Sequence, residues 1–582
     1  MTTLAPHSPD TSFVPADIDA ASWQALAPLV DALRERDVST HAELERWLLD
    51  RSELGAAASE AQANLYITMT CFTEDEAAQS AYTRFVEETA PELTKAAFSL
   101  DRRQAELFEL LGSPGHRYTV LDRDTRADVE LFREENVPIQ TELEKLSQKY
   151  DQTVGGMTVE FDGAERTLPQ MGVYQERTDR EIREGAWRAV ADRRLADRDA
   201  IDGLFDEMIA KRHKLAQNAG FKQYTGYAFR SKHRFDYTPE HCFAFHDAIE
   251  RHVVPLMREL DRSRASALGL SSLRPWDITV DPKGRDPLTP FDGGVELIAK
   301  SRACFDELDP ELAGLFRSLG DGSTAQGPRD GACLDLDSRK GKSSGGYQYD
   351  RDRARRSFIF MNAAGLHRDV ETMVHEAGHA FHSMLCRPEP LLHYRHSPIE
   401  FAEVASMSME LLTMPHWSAF YPDQADADRA RLRQLEGIVS VLPWVATIDC
   451  FQHRLYAEPE HTRTRRTEIW LEIDERFGHS LDWSGLDAQR ESVWQRQGHL
   501  FGVPFYYIEY GIAQLGALGL WLISLEQGSA AALERYKAAL KLGGSRPLPE
   551  LFEAAGLPFD FGDETVGRLT ERLESELSKL PD

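Results

Sequence analysis

The sequence predicts a mainly α fold in two helical lobes, with a small β-sheet next to one central helix. Three observations carry this. Apolar residues recur at helical spacing through most of the chain, from about Ala20 to Leu580. Runs that read convincingly as strands occur only at Met157–Phe161 and within about 332–362. At 582 residues the chain is too long for one hydrophobic core, so we expect an N-terminal lobe, 1–200, and a larger unit, 201–582, meeting at a soft boundary near Asp197 to Asp202.

Composition excludes some classes. The chain is 42% hydrophobic and 28% charged, ordinary for a globular protein. A net charge of −29 argues against nucleic acid or an anionic membrane as partner. Met1 to Phe13 is polar and lacks a basic n-region and an apolar h-region, so it reads as a frayed tail and not a signal peptide. Six scattered cysteines without C-x-x-C fit free thiols in a reducing cytoplasm.

In chain order, Ala42–Leu49, Glu60–Cys71, Glu74–Ser99 and Arg126–Tyr150 read as amphipathic helices. Asp162-Gly163 after Met157–Phe161 reads as a hairpin turn. Helices resume at Asp179, then Ile201–Gly220 and Glu240–Leu268, the latter interrupted near Pro255. His241, His246 and His252 are five and six apart, so they share no helical face and read as surface or core histidines. A glycine-rich loop, Gly320 to Gly331, precedes the β region. There, Arg339 to Tyr347 lacks the G-x-x-x-x-G-K-[ST] order of a nucleotide loop. It reads better as a strand edge flanked by Gly345 and Gly346, where with Tyr347 a peptide backbone is expected to add as a strand. Phe505–Leu525 is apolar, but Glu509 and Gln514 interrupt it and no basic flank follows, so a buried core helix is expected over a membrane span.

The chemistry concentrates at His375-Glu376-Ala377-Gly378-His379, an H-E-x-x-H within a helical pattern from Asp369, its expected N-cap, to Arg387. Residues four apart share a face, so both imidazoles can reach one ion, with Glu376 beside the open position. Gly378 in mid-helix costs about 1 kcal/mol against Ala, which implies a close approach there. Catalytic zinc takes three protein ligands and leaves a fourth position to water. Ser397-Pro398-Ile399-Glu400 reads as a capping box opening a second helix with Glu400, Glu403 and Glu410 close to one face. Glu403 is the chosen ligand because Glu400 is used by the cap; Glu400 is the alternative. His382 and Glu410 are expected to support the ligands from behind, and Cys386 to be a packed thiol.

These residues resemble a known family. H-E-A-G-H-A-F-H followed by E-F-A-E-V-A-S-M-S-M-E is similar to the zinc metallopeptidases of the thimet oligopeptidase and oligoendopeptidase F family. So are Lys214-Leu215-Ala216 with Gly220-Phe221, the Ser344-Gly345-Gly346-Tyr347 turn, and His499 followed by Pro504-Phe505-Tyr506-Tyr507-Ile508-Glu509-Tyr510. The resemblance runs from about Ile201 to Leu557 and points to an oligoendopeptidase-F-like branch. It implies two helical lobes flanking a deep substrate channel, with the 332–362 region lining it. It also implies that a His and two Tyr act on the substrate carbonyl. Those match His499, Tyr507 and Tyr510, with Tyr506 beside them as a substrate contact or a replacement for Tyr507.

The expected activity is therefore zinc-dependent cleavage of internal bonds in short unstructured peptides. One Zn²⁺ per chain activates water, with Glu376 as general base. Its partners are peptides, with no nucleic acid and no membrane, in a monomer or homodimer. A helical zinc carboxypeptidase or dipeptidyl carboxypeptidase, and a non-catalytic peptide-binding protein, are the alternatives.

Overall fold

The computed structural model describes residues 12–321, 333–339, 341–343 and 345–581. Most of the expected amino-terminal tail, most of the loop 320–331, and Ser344 lie outside them. Among the described residues helices dominate, and the strands form only two small sheets. By contact the chain groups into two units, each assembled from three stretches. The first comprises Met1–Glu130, Thr289–Asp428 and Gly516–Phe559; the second comprises Leu131–Leu288, Arg429–Leu515 and Asp560–Asp582. Asp197, at the boundary suggested by sequence pattern, is the turn between helices Arg180–Ala196 and Arg198–Asn218, both within the second unit.

In the first unit, helices Trp23–Glu35, His41–Cys71 and Ala90–Leu111 close over a core that includes Leu26, Val30, Trp47, Leu48, Leu100 and Leu107. His41–Cys71 is one helix of 31 residues where the pattern suggests two, because Ala56, Ala57 and Ala58 carry the helix past Gly55. A capping box between Thr40 and Glu43 starts it. Its last turn packs Ile67 and Cys71 on the strand residues Phe358 and Phe360.

The second unit holds the predicted hairpin, β1 (Thr158–Phe161) paired antiparallel with β2 (Ala164–Thr167). Its two turn residues, Asp162 and Gly163, have φ of 51° and 72°, the left-handed pair a tight hairpin requires. Helix Pro239–Ala248 runs through a π-helical turn, Ile249–Val253, into Val254–Ala267, which accounts for the interruption near Pro255.

The sheet in the first unit has the order β3–β5–β4, from β3 (Leu334–Asp337), β4 (Tyr347–Arg351) and β5 (Arg356–Ala363). The central strand β5 is parallel to β3 and antiparallel to β4, and Phe358 to Met361 are fully buried. Two basic residues of the loop after β3 turn inward: Arg339 Nη1 lies 2.6 Å and Lys342 Nζ 3.0 Å from Oδ1 of the buried Asp335. They neutralise a core carboxylate, which explains a phosphate-loop composition without the phosphate-loop order.

A short link leads from β5 into the helix His367–Leu385. It starts ahead of Asp369, so Asp369 is not the N-cap but the third helical residue. There its Oδ2 accepts from the N–H groups of Leu366 (2.9 Å) and Ala364 (2.8 Å), tying the entering loop to the first turn. The second helix of the metal motif, Ile399–Leu412, lacks the expected capping box. Pro398, held at φ −50° and ψ 143°, occupies the N-cap position and offers no side-chain acceptor, and Ser397 Oγ is buried without a hydrogen bond. One helix among the described residues, Tyr507–Gln527, is long and apolar enough to cross a membrane, and 83% of its apolar window is buried inside the protein.

Candidate metal centre and catalytic residues

Two helices of the first unit build the centre. At Gly378 they touch: an added Cβ would lie 2.6 Å from both Ala405 O and Ser406 Cα. Only glycine permits that approach, and it sets His375 and His379 of one helix opposite Glu403 of the other. Glu403 Oε2 stands 3.5 Å from His375 Nε2 and 3.7 Å from His379 Nε2. The three donor atoms lie within 4.8 Å of one another. Tetrahedral zinc with N and O ligands spaces its donors about 3.3–3.5 Å apart, so the set fits such an ion.

The surroundings set each group's charge. Glu410 Oε1 lies 2.6 Å from His375 Nδ1 and accepts its N–H, which leaves Nε2 facing Glu403. Burial disfavours charge on His375, but the hydrogen bond and carboxylate of Glu410, with Glu403 and Glu376, outweigh it and raise the imidazole to about 10. Burial, and then His375, push His379 down to about 3. Glu376 is 8% exposed, and burial pushes its carboxyl up to about 7 against the opposing pull of His375. His382 packs its ring against Phe401 and is buried, with Nε2 unpartnered. It is not among the residues grouped as metal donors. Glu400 is buried on the helix that carries Glu403 and is likewise outside that group.

Around the β4 edge, Gly345 has φ +94°, and a Cβ on Gly346 would meet the Phe360 carbonyl at 3.4 Å. Tyr347 is a packing residue: its ring stacks on Phe360 at 4.7 Å and its hydroxyl meets Thr70 Oγ1 at 2.6 Å.

The remaining predicted residues form a cluster in the second unit. The His499 ring centroid is 5.6 Å from Tyr506, 5.0 Å from Tyr507 and 5.9 Å from Tyr510, and Tyr510 Oη is 3.5 Å from His499 Nε2. Gln497, which sequence reasoning missed, organises them. Its Oε1 accepts from Trp444 Nε1 (3.1 Å) and Tyr507 Oη (2.9 Å), and its Nε2 lies 2.8 Å from His499 Nδ1. Because an indole N–H only donates, the amide orientation is fixed, so His499 Nδ1 accepts and a neutral ring carries its proton on Nε2. Nothing in the sequence signals this, since a glutamine two residues before a histidine matches no periodic or motif pattern. Burial raises the Tyr507 phenol, which is already engaged with Gln497.

Fold and donor set together define a helical protein of the H-E-x-x-H metal-centre type. Residues 173–566 match peptidase family M3, and the chain belongs to that family. An oligoendopeptidase F homolog of Lactococcus lactis subsp. lactis is 25% identical over 357 residues, covering 59% of this chain and 56% of that protein. The chromosomal oligoendopeptidase F of Lactococcus lactis subsp. cremoris is 23% identical over 425 residues, 70% of this chain and 65% of that one. The chain thus spans less than two thirds of the length of these relatives. Among solved structures, a Pz peptidase A with an inhibitor superposes with TM-score 0.87 at 26% identity, covering 97% of this chain and 99% of that one. An oligoendopeptidase F structure superposes with TM-score 0.85 at 28% identity, covering 97% of each.

Proposed function

We propose that the protein is a zinc-dependent oligoendopeptidase that cuts internal bonds of short unstructured peptides in the cytoplasm. The observation that carries this is the triad of His375, His379 and Glu403 at ligand spacing, with the buried carboxyl of Glu376 on the same helix. Those three residues would hold one zinc ion. Bound there, it supplies a Lewis acid that polarises the scissile carbonyl and acidifies a water. Glu376 takes the proton of the attacking water on a carboxylate oxygen and passes it to the leaving amine nitrogen. Tyr510 and the Nε2–H of His499 are assigned as donors to the substrate carbonyl, with Tyr507 supporting them through Gln497. Tyr506 is assigned as a substrate contact. The peptide is assigned to the edge of β4, which pairs only with β5 among the described strands. Gly345, where an added Cβ would meet nothing within 4 Å, keeps that approach open, and Gly346 and Tyr347 contribute backbone. Six buried cysteines outside any disulfide support a reducing compartment.

The test is mass spectrometry of products from internally quenched peptides of graded length, blocked at both ends or at one, with and without chelator. Internal cuts in doubly blocked short peptides, lost on chelation and restored by zinc, are expected. Cuts only from a free carboxyl end would make the enzyme a carboxypeptidase. Zinc binding without cleavage would make it a peptide-binding protein.

A further inference from the structure

A second group of metal-type donors lies in the second unit and shares no residue with the first. Cys242 and His246 are four apart on Pro239–Ala248, and Asp449 and His453 are four apart on Gln424–Ala457, so each helix presents a pair on one face. All four are buried, with Cys242 and Asp449 at 0% exposure. One donor atom each from Cys242, Asp449 and His453 falls within a common 4.8 Å.

Two details are unusual for an ordinary hydrogen-bonded core. Asp449 Oδ2 and His453 Nε2 stand 3.4 Å apart, yet His453 Nε2 has no hydrogen-bond partner, and neither has Asp449 Oδ1. Ligands around a tetrahedral zinc sit about 3.3–3.6 Å from one another without bonding to each other. Meanwhile His246 Nε2 lies 2.9 Å from Asp449 Oδ2. That is the outer hydrogen bond that orients a ligating carboxylate. A fully buried carboxylate also needs a compensating positive charge.

We infer that the protein holds a second divalent ion, bound by Cys242, Asp449 and His453, that pins these two helices together. The thiolate donor selects zinc or cobalt over magnesium and calcium. The inference is independent of the peptidase reading, and it raises the expected metal content to two ions per chain.

The test uses the full-length protein stripped with chelator and reloaded with Co²⁺. Metal is counted by mass spectrometry, and absorption is followed for the near-ultraviolet thiolate-to-cobalt charge-transfer band. The H-E-x-x-H donors include no sulfur, so only the second site can give that band. The expected result is two ions per chain with the band present. H379A should lose one ion and keep the band; C242S should lose one ion and the band together, and H453Q should weaken both. Since a change at a buried cysteine can itself unfold the protein, the wild type alone also decides. One ion per chain without a thiolate band overturns the inference, and so does a band that survives in both C242S and H453Q.

Discussion

The Glu410 carboxylate does its work through one proton. By accepting from His375 Nδ1 at 2.6 Å it fixes the tautomer that leaves Nε2 for a metal. Glu410→Gln should therefore lower zinc affinity about 10- to 100-fold, read by competition with a chromophoric chelator. An unchanged affinity would remove Glu410 from the centre. The same contact raises His375 to about 10, above its unfolded value of about 6.5. In chelator-stripped protein this pair stabilises the fold fully below about pH 6.5, and that stability is lost as pH rises through about 10. Zinc must displace the proton, so calorimetry at pH 8 in buffers of different ionisation enthalpy should show net proton release, and affinity should climb with pH. Zinc uptake without proton release would contradict the assigned charge. Glu376→Gln should keep zinc yet lose at least about 10²-fold in kcat, since an amide cannot take the water's proton. The nomination of His375, His379 and Glu376 needed only helical spacing, which is visible in a sequence, whereas Glu403 was preferred to Glu400 through a capping box that the structure lacks. Gln497 was not visible, because its partners Trp444, His499 and Tyr507 are gathered by tertiary packing and follow no period.

Elements show the same division between what spacing encodes and what contact decides. Gly378 announced a close approach, and the partner proved to be the backbone of the helix Ile399–Leu412 at Ala405 and Ser406. Helix ends were harder. Asp369 looked like a cap and serves one turn later, and the box at Ser397 gave way to Pro398, because both depend on loop geometry that side-chain identity alone does not fix. Gly378→Ala weighs the competing terms directly. Ala gains about 1 kcal/mol of helix propensity, but its Cβ would meet backbone atoms at 2.6 Å, which no rotamer can relieve. Overpacking of this kind costs about 1–3 kcal/mol. The variant should be less stable than wild type in denaturant titration of chelator-stripped protein, and weaker for zinc, because parting the helices moves Glu403 from His375 and His379. A variant more stable than wild type would show that the helices can yield without loss.

At the scale of the whole chain, the units are discontinuous in a way no linear reading anticipates. Hydrophobic periodicity marks helices, but it does not say which helices share a core. Residues 23–111, 334–412 and 529–554 lie far apart in sequence and pack within one unit. The helix carrying His375 and His379 contacts Ile399–Leu412, β5 and the helix Ser529–Leu540 within it. Tyr536 Oη of the last of these donates to Ala405 O at 2.9 Å, beside the Gly378 crossing. A metal that clamps His375, His379 and Glu403 therefore stabilises a body built from three segments. A ligand present at about 1,000 times its Kd adds about 4 kcal/mol to the state that binds it. Hydrogen exchange compared between wild type and His379→Ala, both at saturating zinc, isolates the contribution of this one site. The added protection should spread over Met1–Glu130, Thr289–Asp428 and Gly516–Phe559 together, in the slowest-exchanging amides of each. Protection confined to the two ligand helices would mean that the segments of this unit open separately and that the centre steadies only its own walls.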